Sequence, residues 1–259
     1  SSEARYMLAL LAFQEDDSPT ALAHLRQILP DREEFEEAVY LQVRIHEKEG
    51  QLDQAIALLK KHLAAQAGEQ PLFFTLLASL LQRQGDNSAA IAALAEAVNR
   101  YPNDPRLLFD YGMLLERTGR SDQAMKTMEQ VLYLQPDHAE ALNFIGYTWA
   151  DNNTNLEQAL EYIERADRLR PNNGFIIDSL GWVYYRLGDF EQAAQKLQRA
   201  VSLVPGDPHI HDHLGDVYHS MNRRKEALQS YQKALELFAE EEKRSTVQKK
   251  IDELNHPKP

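Results

Sequence analysis

DSLGWVYYRLGDFEQAAQKLQRAVSLVP, running from Asp178 to Pro205, reads as two short amphipathic helices joined by a tight turn. The first half carries Leu180, Val183, Tyr184 and Leu187, at steps of three, one and three. The second carries Ala193, Leu197, Ala200, Val201 and Val204. Both sets keep the 3.6-residue period that gathers apolar side chains on one helix face. Gly188-Asp189 provides the turn between them. Pro205 ends the second helix, because proline lacks the N–H and its ring clashes with the preceding turn.

The unit recurs along the chain. Ala78, Gly112, Gly146, Gly181 and Gly215 lie 34, 34, 35 and 34 residues apart. Pro102, Pro136, Pro171 and Pro205 follow in step, as do Ala55, Ala90, Ala124, Ala159, Ala193 and Ala227. Three series with one period point to stacked helical hairpins. The small residues let two antiparallel helices approach nearly to backbone contact while larger side chains fill the flanking layers. Asp104-Pro105 and Asp207-Pro208 read as an N-cap followed by proline in the first helical position. Asp53, Asp122, Glu157 and Glu191 fall in the first turn of each second helix, where the helix dipole favours an anion.

Composition narrows the function. The 259 residues carry a net charge of −12 and no cysteine. Disulfides, thiolate catalysis and cysteine-bound metals are therefore excluded. Nucleic acid is disfavoured, since phosphates call for clustered Lys and Arg. No run of 18 apolar residues exists to span a membrane. The chain opens at Ser1-Ser2-Glu3 without an initiator Met, as expected of a fragment whose leader or lipid-attachment segment lies upstream.

The 34-residue pattern resembles the tetratricopeptide repeat (TPR). Its positions are held here by Ile177, Leu180-Gly181, Tyr184, Ala193, Leu197, Ala200 and Pro205. The next unit holds them with His211, Leu214-Gly215, Tyr218, Ala227, Tyr231 and Ala234, and Ala239 replaces the proline. The unit before offers Leu142, Ile145-Gly146, Trp149, Ala159, Ile163, Ala166 and Pro171, with one extra residue in the turn DNNTNLE. Earlier units drift: Gln42 stands where Leu is expected and His62 where Ala is. The resemblance implies an all-α, right-handed α-solenoid of about seven helical hairpins plus a C-terminal capping helix. The repeats fall near residues 2–35, 36–70, 71–104, 105–138, 139–173, 174–207 and 208–241, within one solenoid at 1–242. Residues 243–254 form the cap, through the apolar stripe Val247, Ile251 and Leu254, and 255–259 a disordered tail.

The resemblance also implies a concave groove lined by positions 2, 5, 9 and 12 of each first helix. Those positions put Phe109, Met113, Asn143, Tyr147, Phe175, Asp178, Trp182 and Tyr185 on one surface, as a partner-binding groove. Large rings there are not needed for packing within a hairpin, and an exposed apolar cluster marks an interaction site. Replacing Trp182 and Tyr185 with Ala is then expected to abolish partner capture while sparing the fold. Family members that grip a C-terminal carboxylate use Lys at position 5. Here that position reads Tyr6, Tyr40, Thr75, Phe109, Asn143, Asp178 and Asp212, so this mode is disfavoured.

His209 and His213 stand four residues apart on one helix, near Asp212, Asp216 and His219. That spacing could chelate a divalent ion, although a solvated acidic-histidine face needs no metal, and His211 falls in a core position. No phosphate loop, nucleophile elbow or zinc-protease motif occurs: His46-Glu47 is followed by Lys48-Glu49-Gly50. Neither catalysis nor a cofactor is expected. Asn143 to Ala234 is similar to the C-terminal repeats of proteobacterial outer-membrane lipoproteins that act as adaptors for a C-terminal processing protease. That resemblance favours a bacterial protein at the periplasmic face of the outer membrane over a cytoplasmic one. The expected function is a non-enzymatic adaptor holding a polypeptide or partner protein in the groove. The alternative is a structural subunit that packs through its convex or edge surfaces.

Overall fold

A computed structural model describes residues 1–65 and 71–256, and all regular structure among them is helical. Segments 66–70 and 257–259, which hold the end of the second expected repeat and most of the expected tail, lie outside the described residues. The helices are α1 (Ser2–Gln14), α2 (Ser18–Leu25), α3 (Phe35–Lys48), α4 (Leu52–Ala64), α5 (Pro71–Arg83), α6 (Asn87–Arg100), α7 (Pro105–Arg117) and α8 (Ser121–Leu134). They continue with α9 (Ala139–Asp151), α10 (Leu156–Leu169), α11 (Gly174–Leu187), α12 (Phe190–Leu203), α13 (Pro208–Ser220), α14 (Arg224–Leu237) and α15 (Glu241–Asn255). They form two compact units, Ser1–Thr127 and Met128–Pro259, divided within α8.

One backbone device sets the hairpin period. Asp16, Gly50, Gly85, Gly119, Asn153, Gly188 and Asn222 all have positive φ, between 55° and 87°. They stand 34 or 35 residues apart, one in each turn between a first and a second helix. Glycine enters this left-handed region freely, and Asn and Asp tolerate it better than other residues. At Gly188 the N–H donates to Tyr185 O and the following Asp189 N–H donates to Tyr184 O, closing α11. Asp189 then caps α12 by accepting from Gln192 N at 3.2 Å. Asp104 and Asp207 cap α7 and α13 in the same way, each with proline at the first helical position.

In the first unit α1 pairs with α2, α3 with α4, and α5 with α6. The small residues at the close approach, Ala9 and Ala78, are buried. Where His62 replaces the expected alanine, its ring meets Phe35 edge-on at 5.2 Å. Burial there, with Lys61 nearby, holds the imidazole below its ordinary pKa. In the second unit α9 pairs with α10, α11 with α12, and α13 with α14, and α15 packs on α14. The facing helices leave no room for a side chain. A Cβ added at Gly146, Gly181 or Gly215 would come within 2.6, 2.5 or 2.4 Å of Ile163, Leu197 or Tyr231. The α15 helix buries Val247, Ile251 and Leu254. Its Lys250 Nζ reaches Asp212 at 2.8 Å and Asp216 at 2.9 Å, while Tyr231 OH donates to Asp216 at 2.7 Å. The lysine bonds tie α15 to α13, in addition to its packing on α14.

Gly181→Ala should cost about 1–3 kcal/mol through overpacking against Leu197, even though alanine gains up to about 1 kcal/mol in helix propensity. Urea unfolding should show that penalty shrink in a Leu197→Ala background, where the opposing side chain is gone. An equal cost in both backgrounds would mean that the close approach is not what requires glycine.

Candidate binding groove of the second unit

The first helices α9, α11 and α13 lie side by side, α11 touching both neighbours. The fifth residue of one first helix sits beside the sixth of the next. In α11 and α13 this contact is an ion pair: Asp178 Oδ1 lies 2.9 Å from His213 Nδ1, with both side chains about 12% exposed. The indole of Trp182, one turn along α11, is enclosed by two rings. His213 stacks on it at 4.3 Å and Tyr185 at 5.0 Å. Tyr147 reaches across from α9 to within 6.3 Å of the His213 ring. Arg186 lies over the indole at 5.8 Å and donates from Nη2 to Asp151 O. The Ser220 hydroxyl donates to the Tyr185 phenol at 3.4 Å.

The charges in this cluster support one another. Burial disfavours a charged imidazole, but the Asp178 carboxylate outweighs it, helped by Asp212 and Asp216, and His213 is raised above its ordinary pKa. A protonated imidazole over the Trp182 face adds a cation–π attraction. Burial also pushes the Tyr147 phenol up, and the nearby Asp151 and Asp178 add to it. Two polar atoms are left over: Trp182 Nε1 and Asn143 Oδ1 are buried without a hydrogen-bond partner among the described residues. Ser179, which occupies the sixth position facing Asn143, turns instead to Phe175 O at 3.1 Å. An unsatisfied buried group of this kind costs about 1–3 kcal/mol.

The geometry corrects the expectation of an exposed aromatic surface. Trp182 and Asp178 are each only 8% exposed, because the first helix of the following repeat covers them. They belong to the seam between α11 and α13, and losing the indole would damage the fold. Asn143, Tyr147 and Tyr185 are half-buried along the same helices, and Phe175 is 55% exposed. Phe109 and Met113 are half-buried on α7 of the first unit. His213 was missed as a groove residue because it occupies the sixth position, outside the expected lining.

The histidine pair does not converge on a metal. The His213 ring is committed to Asp178 and Trp182, whereas His209 lies edge-on to Phe238 at 4.9 Å. No group of three potential ligands able to hold an ion occurs among the described residues. His211 is buried and its Nε2 lies 2.9 Å from Pro205 O.

Sequence models of the tetratricopeptide repeat match residues 6–70, 81–146 and 208–241, and one of the TPR repeat matches 181–222. The chain is a tetratricopeptide repeat protein. A TPR repeat-containing protein of Pseudomonas aeruginosa is 33% identical over 185 residues, 71% of this chain and 31% of that protein. The chain thus spans about a third of the length of the curated relative it matches. The structure of MamA from Desulfovibrio magneticus is 25% identical, with a TM-score of 0.55 over 66% of this chain and 96% of that one. A tetratricopeptide repeat protein from Parabacteroides merdae shares the fold alone. It is 12% identical, with a TM-score of 0.66 over 98% of this chain and 99% of that one. TPR proteins act in general as non-enzymatic scaffolds that bind protein partners. No helix among the described residues is long and apolar enough to cross a membrane.

Two measurements check the seam. His213 has a folded pKa above its unfolded value of about 6.5. The stabilisation from its pair with Asp178 should therefore be complete below about pH 6.5 and fade as pH rises through the folded value. Urea midpoints should fall more steeply over that range in the native chain than in His213→Gln, where the opposite trend contributed by His62 remains; the same slope in both chains would acquit the pair. Trp182→Ala should cost about 3–5 kcal/mol. Trp182→Phe, which keeps a stacked ring and deletes the unpaired indole N–H, should cost at most about 1 kcal/mol in the same assay.

Proposed function

We propose that this TPR protein is a non-enzymatic adaptor that holds an extended polypeptide of a partner protein along the first helices of its second unit. The observation that carries this reading is the set of aromatic side chains left open there. Phe175 is more than half exposed, and Tyr147 and Tyr185 each keep part of a ring accessible. Packing within the hairpins does not account for Phe175, and partly open aromatic rings beside charged groups are the usual anchors of a protein interface. The narrower reading is an envelope adaptor that brings substrates to a C-terminal processing protease. It rests on the resemblance carried by Asn143 to Ala234.

The second reading is a structural subunit of a larger assembly. The apolar side chains of Met7, Leu8 and Leu11, about half exposed on α1, favour it. Pull-downs with variants of each surface separate the two readings.

Phe175→Ala with Tyr185→Ala is the informative pair for the groove, because it leaves the Trp182 seam in place. Capture of a partner from the source cell's envelope fraction should drop by at least about tenfold, equivalent to about 1.4 kcal/mol, with the circular dichroism spectrum retained. For the narrower reading, adding the native chain to a purified C-terminal processing protease should speed degradation of an unstructured substrate. Undiminished capture by the double variant would remove the groove from the account.

A further inference from the structure

The rings at the floor of the second unit's groove form a chain across three successive repeats, and His213 is the link in it. Tyr185 and Trp182 of α11 stack at 5.0 Å, and the indole stacks in turn on the His213 ring of α13 at 4.3 Å. Tyr147 of α9 lies 6.3 Å beyond the imidazole. The outer members, Tyr147 and Tyr185, are the rings that stay half-buried and partly open. Ser220 of α13 also donates to the Tyr185 phenol, at 3.4 Å. The following repeat therefore sets where both open rings stand. Phe175, more than half exposed near the start of α11, takes no part in this chain.

Charge holds the link in place. His213 Nδ1 lies 2.9 Å from Asp178 Oδ1, and groups from each neighbouring element face the pair. Helix α9 brings the Tyr147 phenol and Asp151, α11 brings Arg186 over the indole at 5.8 Å, and α13 itself brings Asp212 and Asp216. Helix α15 answers those two acids with Lys250, and α14 brings the Tyr231 phenol, which donates to Asp216 at 2.7 Å. Helix α12 meets α13 through Gln198 Nε2, which donates to the Tyr218 phenol at 2.6 Å. Burial pushes the Tyr147 and Tyr231 phenols up. Burial works against the charge of Lys250, but Asp216 and Asp212 outweigh it and hold its pKa up. These three groups keep their protons through neutral pH, where a histidine changes charge. Without its proton, His213 offers Asp178 only a neutral donor, and such a bond is about half as strong as a charged one. The Asp178 carboxylate, buried beside the indole, is then short of a counter-charge. The contact that holds α13 against α11 loosens, and the rings that lean on it lose their support.

We propose that His213 is the positioning residue of the groove: its charged ring, paired with Asp178, holds Tyr147 and the Trp182–Tyr185 stack in the arrangement that grips a polypeptide, and loss of its proton weakens that grip. This control rests on the polypeptide reading of the groove given above. The grip is strongest while His213 is charged and fades as pH rises through its folded pKa. Proton and polypeptide are linked reciprocally. If proton loss weakens binding about tenfold, bound polypeptide must raise the His213 pKa by about one pH unit. A histidine that only supported the fold would show no such response to the polypeptide.

Two readouts of the full chain, taken from about pH 6 to about pH 8.5 at constant ionic strength, test this. The first is emission from Trp182 in a Trp149→Phe chain, which keeps one of the two tryptophans. It should change with a midpoint above about 6.5, the unperturbed histidine value. Asp178→Asn should lower that midpoint, and His213→Gln should abolish the transition. The second is fluorescence anisotropy of labelled, reduced and carboxymethylated α-lactalbumin, an unfolded polypeptide. Its Kd for the native chain should rise about tenfold over the range. His213→Gln should bind it weakly at every pH, whereas His213→Arg, planar and always charged, should keep its grip at high pH. Saturating polypeptide should move the emission midpoint up by about one pH unit. One pH profile of binding shared by the native chain, His213→Gln and His213→Arg overturns the inference. An emission midpoint that bound polypeptide leaves in place overturns it as well. Absence of binding at every pH, with the emission transition present, strikes the polypeptide reading itself and this control with it.

Discussion

The near-contact of paired helices is the constraint on which the rest of the fold depends. At Gly146, Gly181 and Gly215 the partner's side chain already occupies the space where a Cβ would sit. That closeness fixes the rotation of each hairpin, and the rotation decides which residues of the first helix meet the next repeat. The seam between α11 and α13 is a downstream result. Asp178 meets His213 because the hairpins that carry them are locked in register. The left-handed turns, one per hairpin, do the same for the chain path, since they bring each second helix back at the same angle.

The seam is also where polar chemistry enters an otherwise apolar stack. A buried ion pair is weak evidence for added stability but a strong device for register, because a slip by one position would strand both charges. Asp178 with His213 takes this form, and Asp212 and Asp216 with Lys250 repeat it half-buried. In each case an acid of one element is answered by a base of the next. At the preceding site Asn143 finds no such answer, and its oxygen remains unpaired. The polar contacts thus distinguish neighbours that are built to the same apolar plan.

Much of the architecture was legible in the sequence, because it rests on residues that few alternatives can replace. Glycine at a close approach, proline after a helix and aspartate at an N-cap each admit one reading. The turns were harder. Gly188 announces itself, but Asp16, Asn153 and Asn222 fill the equivalent left-handed position with side chains that occur in many other roles. The groove was harder still. Helical periodicity gives the direction in which Trp182 points, whereas its burial depends on how far His213 reaches from the following repeat. The histidine pair failed for a related reason: spacing along one helix says nothing of the separate partners that draw His209 and His213 apart.

The stacking of like hairpins has a kinetic consequence. Gly181 meets Leu197 sixteen residues on, and Asp178 finds His213 thirty-five residues on. Even the tie from Asp212 to Lys250 spans only thirty-eight. Contact order is therefore low for a chain of this length, and little loop-closure entropy is lost before native contacts form. Such a molecule has no obligatory long-range nucleus. Any well-formed hairpin can seed its neighbours, so structure can spread in either direction, and the order of events is set by whichever repeat is locally most stable.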